Sequence, residues 1–204
     1  MTELQPLHRL FGLSWMDFFQ GTDVDVQTEI DLSLKQQFLD LVLIRKGSGP
    51  IRRALPDGFE DLAAHNLVTF KSHREALDAW TLWELVGHFV NYRKQSSESF
   101  ASLLPLNDFR LYAVSARFPQ GLAQDVSMTP IRHGVYDAIG FGLRIRIIVA
   151  NQLPQEEHNA MLHLFSAREE LLRYGQSHYR PYSQETSSLV WPRRWPRAPG
   201  APRT

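Results

Sequence analysis

The residues with the clearest chemical potential are an aspartate and a lysine on two apolar runs. Asp40 stands at the head of FLDLVLIRK, and Lys71 closes HNLVTFKSH. Two neighbouring strands that carry an acid and a lysine at one end can hold a divalent metal and a phosphodiester. The carboxylate supplies hard oxygen to Mg²⁺ or Mn²⁺, and the ammonium meets phosphoryl charge. A lone pair of charges also has ordinary structural uses. Asp40 could instead cap a strand or loop, and Lys71 could carry its ammonium into solvent at a strand end.

Several elements are needed to position this pair. Leu7, Leu10, Phe11, Trp15, Phe18 and Phe19 make one apolar helical face over residues 7–19, and Gly21 ends it. Val24–Ile30 alternates as a strand. Phe38–Ile44 is nearly continuous in apolar residues, as a strand near a sheet centre would be. Asn66–Phe70 is a third strand, and Glu75–Lys94 a long helix in which Trp80 and Trp83 read as packing residues. Leu111–Phe118 and Leu143–Ala150 are further strands. In the latter, Ile145, Ile147 and Val149 face away from Arg144 and Arg146. Pro154 opens a terminal helix over residues 155–174.

The order helix, strand, strand, strand, helix, strand, with Asp40 and Lys71 on successive strands, resembles the PD-(D/E)XK nuclease superfamily. The likeness is greatest to its transposase-like and recombination-promoting branches. It implies an α/β fold with a restriction-endonuclease-like mixed central sheet flanked by helices. It also implies Asp40 as a metal-binding acid and Lys71 as the group that supports water activation and transition-state charge. The family's usual second acid is replaced by Thr69, a far weaker metal ligand. Glu29 is the leading substitute, because a hairpin around Leu34, Lys35 and Gln36 sets it across from Asp40. Glu84, on the crossover helix, and Asp17, on the first helix, are the other candidates for the missing acid. The expected site is therefore Asp40, Lys71 and Glu29, with Asp40 and Glu29 on Mg²⁺ or Mn²⁺. The expected activity is metal-dependent hydrolysis of DNA phosphodiesters. The alternative is a catalytically degenerate nuclease fold that binds nucleic acid or protein.

Composition narrows the remaining classes. The chain has 204 residues, 43% of them hydrophobic and 22% charged, with no cysteine. Disulfides, thiolate metal sites and cysteine nucleophiles are thereby excluded. Residues 1–180 fit one domain and 181–204, rich in proline and arginine, an extended tail. Net charge is zero, so DNA binding must rely on a local basic patch. Residues His73 and Arg74, the Tyr92–Lys94 cluster, and Arg144 with Arg146 are candidates for it. There is no P-loop or dinucleotide fingerprint, and His158 and His163 lack the spacing of a zinc peptidase. The pattern predicts a cytoplasmic protein with no membrane span, and a homo-oligomer or protein partner is open.

Overall fold

Two apolar cores lie on opposite faces of one seven-stranded mixed sheet. The computed structural model describes residues 4–31, 38–47, 49–140 and 142–182, without the side chains of residues 4–6 and 29–31. Helix α1 (Leu4–Phe18) is followed by strands β1 (Val24–Asp31), β2 (Phe38–Arg45) and β3 (His65–Lys71). Helix α2 (Ala79–Ser96) then crosses to β4 (Phe109–Ser115). A one-turn helix α3 (Leu122–Asp125), a hairpin β5 (Met128–Arg132) and β6 (Val135–Gly140), and β7 (Leu143–Val149) come next. Helices α4 (Ala160–His163) and α5 (Glu169–His178) end the described fold. The strand order is β1-β2-β3-β4-β7-β6-β5. The first three strands are antiparallel, β3 and β4 are parallel, and so are β4 and β7. The protein is thus α/β, with the helix-strand-strand-strand-helix-strand order expected for its first half.

Strand alternation explains the two cores. Leu41, Leu43, Val68, Phe70, Tyr112, Val114 and Ile148 face one way and pack with Phe11, Trp15 and Phe18 of α1 and with Phe19 just after it. Val42, Leu67, Leu111, Ala113, Ile145, Ile147 and Val149 face the other way and pack with Leu82, Leu85, Phe89 and Tyr92 of α2. Rings interlock the first core: Phe11 stacks on Phe70 at 4.4 Å, and Phe59 on Tyr112 at 4.6 Å. Gly12 lets α1 lie close on β1, since a Cβ there would meet the Thr28 methyl at 2.6 Å.

Three features depart from the sequence expectations. The β5–β6 hairpin was not anticipated. Pro130, a register shift between Pro130 and Arg132, and the exposure of four of the five β5 residues blur its alternation. The surviving cue is Gly134, which turns the hairpin at φ 79°. The helix expected over 155–174 is broken in two, because Ser166 and the Ala167 N–H both donate to Asn151 Oδ1 and stop the first piece. Trp80 and Trp83 are exposed by 68% and 54%, outside both apolar cores. The loop at Leu34–Gln36 and residues 183–204 of the expected tail lie outside the described residues.

Candidate functional site

The site lies where β2 parts from β3. Their pairing runs from Ile44–His65 to Leu41–Val68, and the strands then diverge. Divergence leaves the Phe70 N–H without a strand partner, and a buried amide must find an acceptor. Asp40 provides it: Oδ2 accepts from the Phe70 N–H at 2.8 Å and from the Thr69 hydroxyl at 3.0 Å. Its other oxygen faces His8 of α1, with Nδ1 to Oδ1 at 2.6 Å. The opposite ring nitrogen, Nε2, lies 3.4 Å from Glu75 Oε2. Glu75 also accepts from the Ser72 N–H at 3.1 Å and the Ser72 hydroxyl at 2.7 Å.

A histidine that donates from both nitrogens to carboxylates is an imidazolium. The hydrogen bond to Asp40, then that to Glu75, raise the His8 pKa to about 10 against the cost of burial. Burial opposes ionisation of Glu75, yet hydrogen bonds from His8 and Ser72 overcome it and hold the carboxyl at about 2. The ring is fixed from below by an edge contact with Phe70 at 5.7 Å. His8, Asp40 and Glu75 thus form a charged bridge linking α1, β2 and the turn after β3.

Lys71 ends β3 one residue beyond Phe70 and is half-buried; Asp78, the N-cap of α2, is held below the usual carboxylate value chiefly by the bond from the Thr81 N–H, with a small part from the Lys71 charge. Among the described residues the Lys71 ammonium forms no hydrogen bond or ion pair. His88 of α2 completes this side. Its Nδ1 is buried without a hydrogen-bond partner among the described residues, and burial lowers its pKa while Glu84, Asp40 and Lys71 act on it electrostatically. His73, Arg74 and Arg117 lie past the ends of β3 and β4, near enough that both arginines depress the His73 pKa, after burial. Open α/β sheets commonly bind ligands beyond the carboxyl ends of their strands.

The structure therefore brings Asp40, Thr69 and Lys71 to one end of adjacent strands. The Glu29 backbone runs beside Asp40, bracketed by the pairs Thr28–Leu41 and Ile30–Leu39, while its side chain lies outside the described residues. Asp17 is elsewhere, buried and bound by the Tyr179 hydroxyl at 2.6 Å. Tyr92 and Arg93 are spent on structure, through His65 and the Leu104 carbonyl. Arg144 and Arg146 are held by Asp61 and Asp137. His8 and Glu75 were missed. Ser72-x-x-Glu75 does match a capping-box spacing, which was the available signal for Glu75. No sequence signal ties His8 to Asp40.

No family model, curated protein or solved structure matches the chain.

Do these groups suit Mg²⁺ or Mn²⁺? Asp40 already accepts three donors, one of them cationic, and Thr69 points its hydroxyl proton at Asp40 instead of offering a carboxylate. Among the described residues no group of three or more histidines, aspartates or glutamates has metal-binding geometry. The described side chains fit an internal cation, His8, better than a divalent one. No helix among the described residues is long and apolar enough to cross a membrane.

Proposed function

We propose that this protein is a catalytically degenerate nuclease-fold module that binds DNA through its phosphodiester backbone. The observation that carries this reading is the saturation of Asp40 by His8, Thr69 and the Phe70 amide. With the acid occupied, the groups that support a phosphate contact are the Lys71 ammonium at the end of β3 and the exposed Arg117 beyond β4. Such contacts position a backbone without reading bases.

The test is fluorescence polarisation with labelled single- and double-stranded DNA in EDTA, beside cleavage assays in Mg²⁺ and Mn²⁺. Salt-sensitive binding in EDTA without cleavage is the expected result. Absence of binding to either DNA would overturn the reading.

A second reading, metal-dependent DNA hydrolysis, draws on the course of the Glu29 backbone beside Asp40. It requires Mg²⁺ or Mn²⁺ to displace His8 from Asp40. Cleavage that depends on Mn²⁺ and disappears in both Asp40→Ala and Glu29→Ala would establish it over the first.

A further inference from the structure

A cavity of about 350 Å³ opens at the last turn of α1, where Phe18 lines it. His8 stands ten residues earlier on the same helix, about 15 Å away along its axis, so the cavity is separate from the Asp40 bridge. A volume of this size takes a small organic molecule. Phe18 and Met161 give it an apolar wall, and its charges come from two parts of the chain. Arg53, in the loop before β3, and Arg180, just after α5, supply cations. Glu156, Glu157 and His158, in the segment after β7, supply acceptors.

The cations are held but not neutralised. Arg53 donates from Nη2 to the Gln20 carbonyl at 3.1 Å, and its guanidinium lies 3.6 Å from the centre of the Tyr182 ring and 5.2 Å from that of Phe18. Its Nη1 is buried without a hydrogen-bond acceptor. Arg180 has one long bond, to the Tyr179 carbonyl at 3.4 Å. Neither arginine forms an ion pair among the described residues, and neither do Glu156 and Glu157. Arg168 with Glu170, and Arg173 with Glu169, show that exposed arginines and glutamates of this chain do pair where they are within reach. The four around this cavity are too far apart to do so. His158 is fixed as an acceptor. Its Nε2 faces the ionised Asp57 at 3.3 Å, so the proton of the neutral ring sits there and the Nδ1 lone pair is left over.

The formal charges of the two arginines and two glutamates cancel. A simple anion or a simple cation therefore gains from one pair what it loses to the other. A molecule that carries both charges gains from both pairs. We infer that this cavity binds a free α-amino acid with an apolar side chain. Its carboxylate meets Arg53 and Arg180, and its side chain lies against Phe18 and Met161. Its ammonium has three N–H donors for Glu156, Glu157 and His158 Nδ1. The inference does not rest on how the Asp40 end of the sheet is used.

Isothermal titration of the full-length protein with L-phenylalanine, L-leucine and L-methionine, each to about 5 mM, tests it. At least one is expected to bind with Kd of about 1 mM or tighter. Two analogues of the tightest binder, one without the ammonium and one without the carboxylate, should each bind about tenfold more weakly. Arg180→Gln should weaken the amino acid and its ammonium-free analogue alike. Glu156→Gln/Glu157→Gln should weaken the amino acid but not the ammonium-free analogue. All three replaced side chains are exposed, so the circular dichroism spectrum should not change. No binding of any of the three amino acids overturns the inference. An ammonium-free analogue that binds as tightly as its parent also overturns it, because the glutamates would then be solvated bystanders. So does a binder whose affinity survives both Arg180→Gln and the glutamate pair.

Discussion

Two half-hidden carboxylates in this molecule are each gripped by a histidine, and they are built for different ends. The Asp57 side chain is 9% exposed. Its backbone N–H donates to Asn159 Oδ1 at 2.9 Å, and the Asn159 amide returns a bond to Oδ2 at 2.8 Å. Arg132 and His158 share the other oxygen at 2.9 and 3.3 Å. Burial works against its ionisation, but these donors hold its pKa below the usual carboxylate value. Asp57 is a staple between the loop before β3 and the segment after β7. Asp40 has a comparable set of donors, but its side chain and those of His8 and Glu75 are 17%, 23% and 25% exposed. It sits near the end of β2, and Lys71, whose ammonium forms no hydrogen bond or ion pair among the described residues, ends the adjacent β3. The difference separates a carboxylate that closes a gap in the fold from one within a solute's reach.

Substitution should break the two apart, and the largest effect belongs to the staple. Asp57→Ala keeps the backbone N–H bond to Asn159 but takes the carboxylate acceptor from the fully buried Asn159 amide, Arg132 and His158. The expected loss is about 2–3 kcal/mol of unfolding free energy in a urea titration, with DNA binding by the folded protein unchanged. A loss well under 1 kcal/mol would place Asp57 among ordinary surface acids.

Next comes Thr69→Asp, which restores an acid at the position the resemblance requires. It replaces a donor to Asp40 with a second carboxylate about 3 Å away, so repulsion should cost about 2 kcal/mol at neutral pH. Mn²⁺ should recover more of the melting temperature in this variant than in wild type, because an ion that binds only the folded state stabilises it. Equal responses in the two proteins would mean that no cation site can be rebuilt there.

How much of this was legible beforehand depends on where each partner came from. β2 and β3 announced themselves as apolar runs, and Asp40 and Lys71 as the charges at their ends, since strand periodicity is local. Helix α2 was legible as a helix but not as to which of its two apolar stripes would face inward. The sheet decides that, and it chose Leu82 and Leu85 over Trp80 and Trp83. The bridge was illegible for a different reason. His8 and Asp40 are 32 residues apart and His8 and Glu75 67 apart, so their meeting depends on how α1 docks on the sheet. The hairpin was hidden by its own exposure, which removes the apolar alternation by which a strand is recognised.

The bridge itself should yield a smaller, pH-dependent effect. The His8 pKa is raised from 6.5 to about 10 in the folded protein. Its contribution is therefore complete below pH 6.5 and is lost as pH climbs through about 10. Glu75, lowered from 4.5 to about 2, contributes above pH 4.5 and is lost as pH falls toward 2. His8→Gln should cost about 1–2 kcal/mol at pH 6 and progressively less toward pH 10. Chemical denaturation across that range measures it. A wild-type advantage that stays constant with pH would show that His8 stabilises by packing on Phe70, with no part for its charge.

The smallest effect on stability and the most telling one for function should come from Lys71→Ala. Its ammonium makes no hydrogen bond or ion pair among the described residues, and Asp78, which feels its charge, keeps its cap on Thr81 through the 2.8 Å bond to the Thr81 N–H. Unfolding free energy should move by no more than about 0.5 kcal/mol. If the ammonium meets a phosphate, affinity for DNA should fall alike for every sequence tested. The slope of log affinity against log salt should flatten by about one, the signature of one lost phosphate contact. Asp57→Ala, which removes no cation, should leave that slope alone. A salt slope unchanged in Lys71→Ala, from a wild type that does bind DNA, would move the DNA surface away from the ends of β3 and β4. Asp40 would then be a second staple, differing from Asp57 in exposure alone.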